Sequence, residues 1–163
     1  ITDTPYFVEL EHHQPSSLEQ SILENIKHIA INVLNATGVK NGAGHIEMKI
    51  NSKGIYVIEI GSRMGGDFIG SDLVKLSTGF DFLQAVILIA LGQYIHSPII
   101  NENRYSGVYF LSKETEYLLD TINSSKDFIV KKDIFNNNLQ FAHSSNDRSG
   151  YLIYQADEKI ILK

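Results

Sequence analysis

Glu47 and Glu59, with Arg63 four residues beyond the second, are the side chains of this chain best suited to hold a metal ion and an oxyanion. Their spacing implies a hairpin. Residues His45–Ile50 and Ile55–Ile60 alternate apolar and polar side chains around Asn51-Ser52-Lys53-Gly54. If the loop is Ser52-Lys53-Gly54, a type I turn closed by a left-handed Gly54, facing residue numbers sum to 106. Ile46 then faces Ile60, Met48 faces Ile58 and Ile50 faces Tyr56, so one face is wholly apolar. Glu47 falls opposite Glu59 on the other face. A register slipped by one residue, with a two-residue loop, loses both patterns. Facing carboxylates repel each other. A divalent cation such as Mg²⁺ or Mn²⁺ relieves that repulsion by sharing their hard oxygens, with phosphate oxygens completing its shell. Arg63, where the chain leaves the strand, is suited to grip a phosphate or carboxylate bidentately. Two solvated carboxylates on the open face of a hairpin give the same pattern, with Lys49 on that face to neutralise one, and the residues alone leave both readings open. Gly65-Gly66 reads equally as a phosphate loop or a plain turn.

The elements that must position these groups are legible on either side. Ser16-Ser17-Leu18-Glu19 after Pro15 has the form of a capping box. Leu18, Ile22, Ile26, Ile29, Ala30, Val33 and Leu34 follow at helical spacing, up to a stop at Gly38, and form the stripe on which the hairpin's apolar face is expected to pack. Ser71–Leu76 reads as a short helix. Asp81 caps a second helix, Phe82–Leu91, ended by Gly92 and apolar almost all round, so burial is expected for it. From Tyr105 onward, strands are expected at Gly107–Leu111, Phe128–Val130, Leu139–Ala142 and Gly150–Tyr154, with Asn136–Asn138 and Ser144–Asp147 as turns.

Composition narrows the function classes. With 163 residues, 43% of them hydrophobic, the chain is one domain with its own core or a piece of a larger one. It has no cysteine, which excludes a disulfide scaffold, a thiolate nucleophile and a cysteine zinc site, and fits a reducing compartment such as the cytoplasm. The formal charge is −5 and no basic run exceeds Lys131-Lys132, so there is no footprint for nucleic acid. The longest apolar run, Ala85–Leu91, falls far short of the roughly 20 residues that span a bilayer. The chain starts at Ile1 and leads directly into Tyr6-Phe7-Val8-Glu9-Leu10, which reads as a strand already inside a fold, and a fragment is expected.

Gly42-Ala43-Gly44-His45-Ile46-Glu47, then Val57 to Asp67 (VIEIGSRMGGD), then Ser77 to Ala85 (STGFDFLQA) succeed one another as in the C-terminal lobe of the ATP-grasp ligases. The resemblance runs from Tyr6 to Gly92. It implies an α+β fold, an antiparallel sheet packed against helices over residues 1–104, followed by a small β-rich C-terminal region over 105–163. In that superfamily, ATP activates a carboxylate as an acyl phosphate. By resemblance, Glu47 and Glu59 hold Mg²⁺ or Mn²⁺ on the phosphates of ATP, and Arg63 meets phosphate or the reacting carboxylate. Asp67 falls at a position proposed for a catalytic base, and Gly65 and Gly66 line the substrate side. Where the family usually has E-x-N, with the asparagine a further metal ligand, this chain has Gly61. Glu9 and His12, followed by Pro15, resemble an E-x-x-H element that faces the substrate in L-amino-acid ligases, although two polar residues at a strand end would look the same. His13, adjacent in an extended segment, points to the opposite face from His12, so the two do not chelate one ion. His45 reads as structural, and His28, His96 and His143 have no evident partner.

The expected activity is therefore that of a fragment of a carboxylate-amine ligase, supplying metal and phosphate ligands. Its expected partners are ATP, a small carboxylate, an amine and the remaining lobes of the same polypeptide, with a homodimer left open and neither nucleic acid nor membrane expected. Two alternatives stand beside it: a biotin-carboxylase-like or carbamoyl-phosphate-type enzyme acting on bicarbonate, and a degenerate, non-catalytic lobe, for which Gly61 is the hint.

Overall fold

Alternating apolar residues in a chain with few prolines give strands where they recur at every second position and helices where they recur at every third or fourth. The computed structural model describes residues 1–93 and 100–163, so His96 lies outside the described residues. The elements are β1 (Glu11–Gln14), α1 (Gln20–Ala36), β2 (His45–Asn51), β3 (Gly54–Gly61), α2 (Val74–Thr78), α3 (Phe82–Ala90), β4 (Tyr105–Leu111), α4 (Leu118–Asn123), β5 (Ile129–Ile134) and β6 (Gly150–Ala156). The chain has two compact units. One comprises Ile1–Pro15, Asp72–Phe80 and the chain from residue 100 on, and the other Ser16–Ser71 and residues 81–93. No helix among the described residues is long and apolar enough to cross a membrane.

The first unit is built on a four-stranded antiparallel sheet in the order β1-β4-β6-β5. Because β4 is central, it is buried along nearly its whole length. Its Tyr109 and Leu111 join Leu152 and Tyr154 of β6 and Leu118 and Ile122 of α4 in the core. The units cut across a division at 104/105, since β1, from the beginning of the chain, is the edge strand beside β4.

Several polar groups inside this core are paired. The Tyr109 hydroxyl donates to the Ile160 carbonyl at 2.9 Å and accepts from the Leu162 amide at 3.2 Å, pinning the chain end across the sheet. His13 Nδ1 meets the Tyr154 hydroxyl at 2.8 Å, and Nε2 lies 3.2 Å from Glu11. Burial pushes the Tyr109 phenol up to about 12 and raises Tyr154 further. Burial also lowers His13 below its ordinary 6.5, with the Glu11 carboxylate working against it. The unfolded chain therefore binds more protons between the two values, so this contribution is full above about pH 6.5 and is lost as the pH falls through the folded value. Denaturant midpoints should fall on acidification through that window, and His13→Gln should flatten the slope. An unchanged slope in the variant would mean that another group carries it.

The second unit holds α1, the β2–β3 hairpin and α3. The α1 stripe is half-buried, and Ile22 and Ile29 share with Ile50 and Ile55 of the hairpin the walls of a cavity of about 520 Å³. The helix starts later than the capping box implies. Ser16 Oγ accepts from the Leu18 amide at 3.3 Å in a local turn, and Glu19 stands at the N-cap without a side-chain bond. At the other end Gly38 adopts φ 75° and the Val39 amide reaches back to the Leu34 carbonyl, as expected for a glycine stop. Asp81 caps α3 through the Gln84 amide at 2.9 Å.

Several expectations are corrected. Helix α3 is not enclosed: only Ala85 is buried, while Leu83 and Ile87 are exposed, because no described element covers that side. Tyr6–Leu10 is not a strand. The Tyr6 and Phe7 amides turn back to the Asp3 carbonyl, and strand pairing begins at Glu11. Leu139–Ala142 is not a strand either, since the Ala142 amide is taken by the Glu114 carboxylate and not by a ladder partner. Between Ile69 and Leu73 the chain forms a π-turn that runs into α2.

Candidate functional site

The hairpin carries two registers joined by a bulge. At its base His45 pairs with Gly61, Ile46 with Ile60 and Glu47 with Glu59, the expected sum. Toward its tip Met48 pairs with Val57, Lys49 with Tyr56, Ile50 with Ile55 and Asn51 with Gly54, so the loop is the two residues Ser52-Lys53. Asn51 Oδ1 accepts from the Lys53 amide at 2.8 Å, an Asx turn that closes the tight loop. The surplus residue is Ile58, left between Glu59 and Val57. The facing glutamates are thus as the apolar pattern implies, but past the bulge Val57 and Ile55, not Ile58 and Tyr56, share the apolar face with Met48 and Ile50. Tyr56 and Ile58 are accordingly 46% and 54% exposed.

Each glutamate also has a cationic or titratable neighbour. Arg63 Nη2 lies 3.4 Å from Glu59 Oε1, and Arg63 Nη1 donates to the Met64 carbonyl at 3.1 Å. His45 Nε2 lies 3.5 Å from Glu47 Oε1. Three glycines make the room for these side chains. A Cβ on Gly61 would stand 3.2 Å from Arg63 Cγ, one on Gly65 3.0 Å from His45 Nδ1, and one on Gly70 would overlap the Met64 side chain. The left-handed backbone of the loop is carried not by the glycine pair but by Asp67 and Phe68, at φ 50° and 64°. Such a conformation is tolerated by aspartate and costly for phenylalanine, and strain of this kind collects at functional loops. Gly66 holds the turn through its carbonyl, which accepts from the Ile69 amide at 2.8 Å.

Glu47, Glu59, Arg63 and Gly65 are therefore brought together around the hairpin base, with Gly66 and Asp67 in the turn that follows. Glu9 and His12 belong to the other unit, where the His12 ring stands nearly perpendicular to Phe110 at 5.9 Å. His12 and His13 do point to opposite faces, since His13 meets Tyr109 and Tyr154 instead. His45 was readable in the sequence as a neighbour of Glu47, standing two residues before it on the same strand face. Arg148 and Phe110, which hold the Glu9–His12 segment, gave no such signal.

The donor set suits a hard divalent cation: two facing carboxylates, half-exposed, with oxygens on the polar side of the hairpin. No three histidine, aspartate or glutamate side chains among the described residues converge to hold a metal by themselves. A cation held by Glu47 and Glu59 would have to take its remaining ligands from water or from the oxygens of a bound anion.

Residues 1–72 match the family model of the ATP-grasp domain. Over 91 residues the chain is 32% identical to carnosine synthase 1 from Gallus gallus, a match that covers 56% of this chain and 10% of that protein. The fold superposes on L-amino acid ligase from Bacillus licheniformis with a TM-score of 0.75 at 23% identity, covering 94% of this chain and 40% of that one. It superposes on phosphoribosylglycinamide synthetase from Anaerococcus prevotii with a TM-score of 0.75 at 19% identity, covering 93% and 41%. The chain thus spans less than half the length of the proteins it matches. Residues 1–72 are thus similar to the ATP-grasp domain, in a chain whose α+β fold is shared with these two solved enzymes.

Proposed function

We propose that this chain carries the C-terminal ATP-grasp lobe of an ATP-dependent ligase that activates a carboxylate as an acyl phosphate and joins it to an amine, with an amino acid as one substrate. The observation that carries this reading is the pairing of Glu47 with Glu59 across the hairpin base, with Arg63 beside Glu59. The names of the matched carnosine synthase and L-amino acid ligase support the substrate class. Mg²⁺ or Mn²⁺ bound by Glu47 and Glu59 would neutralise charge on the phosphates of ATP. Arg63 leaves Glu59 to grip the transferring phosphoryl group or the substrate carboxylate. A carboxylate oxygen of the substrate bonds to the γ-phosphorus and ADP departs. The amine nitrogen then bonds to the acyl carbon, phosphate departs, and Asp67 accepts the amine proton. Gly65 and Gly66 leave the loop backbone open to a substrate, and in the other unit Glu9 and His12 are read, by resemblance to L-amino-acid ligases, as substrate-facing.

The metal reading is testable on the chain itself. Mn²⁺ titrated into isotope-labelled protein should broaden the resonances of Glu47, Glu59 and their strand neighbours first, and the double change Glu47→Gln with Glu59→Gln should remove that broadening. Broadening that starts elsewhere, or survives the double change, would refute it. The nucleotide should need more than this chain: calorimetry on residues 1–163 is expected to give ATP binding weaker than micromolar, because the chain spans less than half the length of the ligases it matches. Micromolar affinity would mean a self-contained site.

A further inference from the structure

Arg148 is a charged residue almost wholly inside the protein, 7% exposed, in a unit whose other buried side chains are mostly apolar. Its guanidinium lies over the Phe110 ring, with Cζ 3.8 Å from the ring centre, and its Nη2 donates to the Glu9 carbonyl at 2.8 Å. The same Phe110 ring makes a T-shaped pair with the His12 ring, at 5.9 Å and 84°. Its amide donates to the Leu10 carbonyl at 2.9 Å. The segment from Glu9 to His12 is therefore fixed at three successive points by two residues distant in sequence: Glu9 by Arg148, Leu10 by the Phe110 backbone, and His12 by the Phe110 ring.

Arg148 is itself held from both sides. Before it, Ser145–Asp147 form a single 3₁₀ turn with a reciprocal cap, in which Asp147 Oδ2 accepts from the amides of His143 and Ser144 at 3.0 and 2.8 Å. After it, the Ser149 amide donates to the Leu111 carbonyl at 2.6 Å, next to the start of β6. A planar, permanently charged group on a backbone so fixed is a stiff support, whereas lysine has neither the stacking plane nor the fork.

We infer that Arg148, acting through Phe110, is a positioning residue that sets the placement of Glu9 and His12 and so the affinity for the substrate they face. The inference rests on the reading of Glu9 and His12 as substrate-facing. A misplacement of about 1 Å in a binding element is enough to weaken its contacts severely.

The test uses Arg148→Lys, which keeps the charge, with Phe110→Leu as the second variant. In the labelled chain, the His12 ring Cε1–H resonance should move while those of His28 and His45 stay in place. Exchange of the Phe110 amide should quicken by on the order of tenfold as the Leu10 contact loosens. In the ligase carrying the chain, the KM raised by Glu9→Gln and His12→Ala should rise on the order of tenfold in Arg148→Lys, with kcat and the KM for ATP within about twofold. A folded Arg148→Lys protein with unmoved His12 resonance and unchanged KM would overturn the inference. So would failure of both variants to fold, because the two residues would then serve the core at large. If Glu9→Gln and His12→Ala leave every KM unchanged, the inference falls together with the reading it rests on. A response to those two changes with none to Arg148→Lys overturns the inference alone.

Discussion

Turnover of the ligase carrying Glu59→Gln should drop by on the order of 10² to 10³, and Arg63→Ala should do comparable damage, while both proteins melt close to the parent temperature. The two outcomes belong together because the side chains are half-exposed, at 55% and 54%, and an ion pair at that exposure contributes about 1 kcal/mol or less to stability. What they lose is functional: glutamine keeps the shape of Glu59 but not the charge that offsets a cation, and alanine removes a bidentate grip on an oxyanion. Gly61→Asn sharpens the test. Asparagine is the residue the resemblance implies at 61, and on sequence grounds alone it should restore a ligand and lower the Mg²⁺ requirement. A Cβ at 61 would crowd Arg63, with contacts at 3.2 and 3.3 Å, so the asparagine should also push Arg63 away from Glu59. The expected result is a lower Mg²⁺ half-saturation accompanied by reduced turnover. Magnesium titrations of phosphate release by the four proteins check all of this, and near-parent turnover in both Glu59→Gln and Arg63→Ala would favour the non-catalytic alternative.

Gly107→Ala should be a severely damaging single methyl in the sheet. Gly107 lies in β4 between β1 and β6, and a Cβ there would sit 2.5 Å from Tyr154 Cε1, 2.7 Å from the His12 carbonyl oxygen and 2.8 Å from His13 Nδ1. The carbonyl belongs to the strand ladder and cannot yield without breaking its pairing. Overpacking of this kind costs about 3 kcal/mol. For a chain of this length that corresponds to a drop in Tm of roughly 6–12 °C. Gly42→Ala, at φ 136° with nothing within 4 Å, is the comparison: it carries backbone strain but no clash and should cost less. Equal losses in the two would show that strand geometry, not crowding, dominates at 107.

What could be read from the residues followed period and contact distance in sequence. The facing of Glu47 and Glu59, the α1 stripe, the Asp81 cap and strands β4 and β6 were legible because each is set by side chains within a few positions of one another. What could not be read depended on partners far away. β1 is placed by pairing with β4 almost a hundred residues later, and Leu139–Ala142 is drawn off the sheet by Glu114. The role of Arg148 turns on Glu9 and Phe110, neither near it in sequence. The hairpin loop was misjudged by one residue for a different reason, since alternation fixes which residues face each other only up to the next bulge.

The surplus residue at Ile58 leaves the two ends of the hairpin out of phase by one position, so the pairing at the base does not fix the length of the tip. Adding or removing a residue at Ser52-Lys53 can be absorbed by annulling or shifting the bulge, leaving Glu47 opposite Glu59. The tip is free to drift in length and sequence among variants of this protein, while the carboxylates keep their appointment.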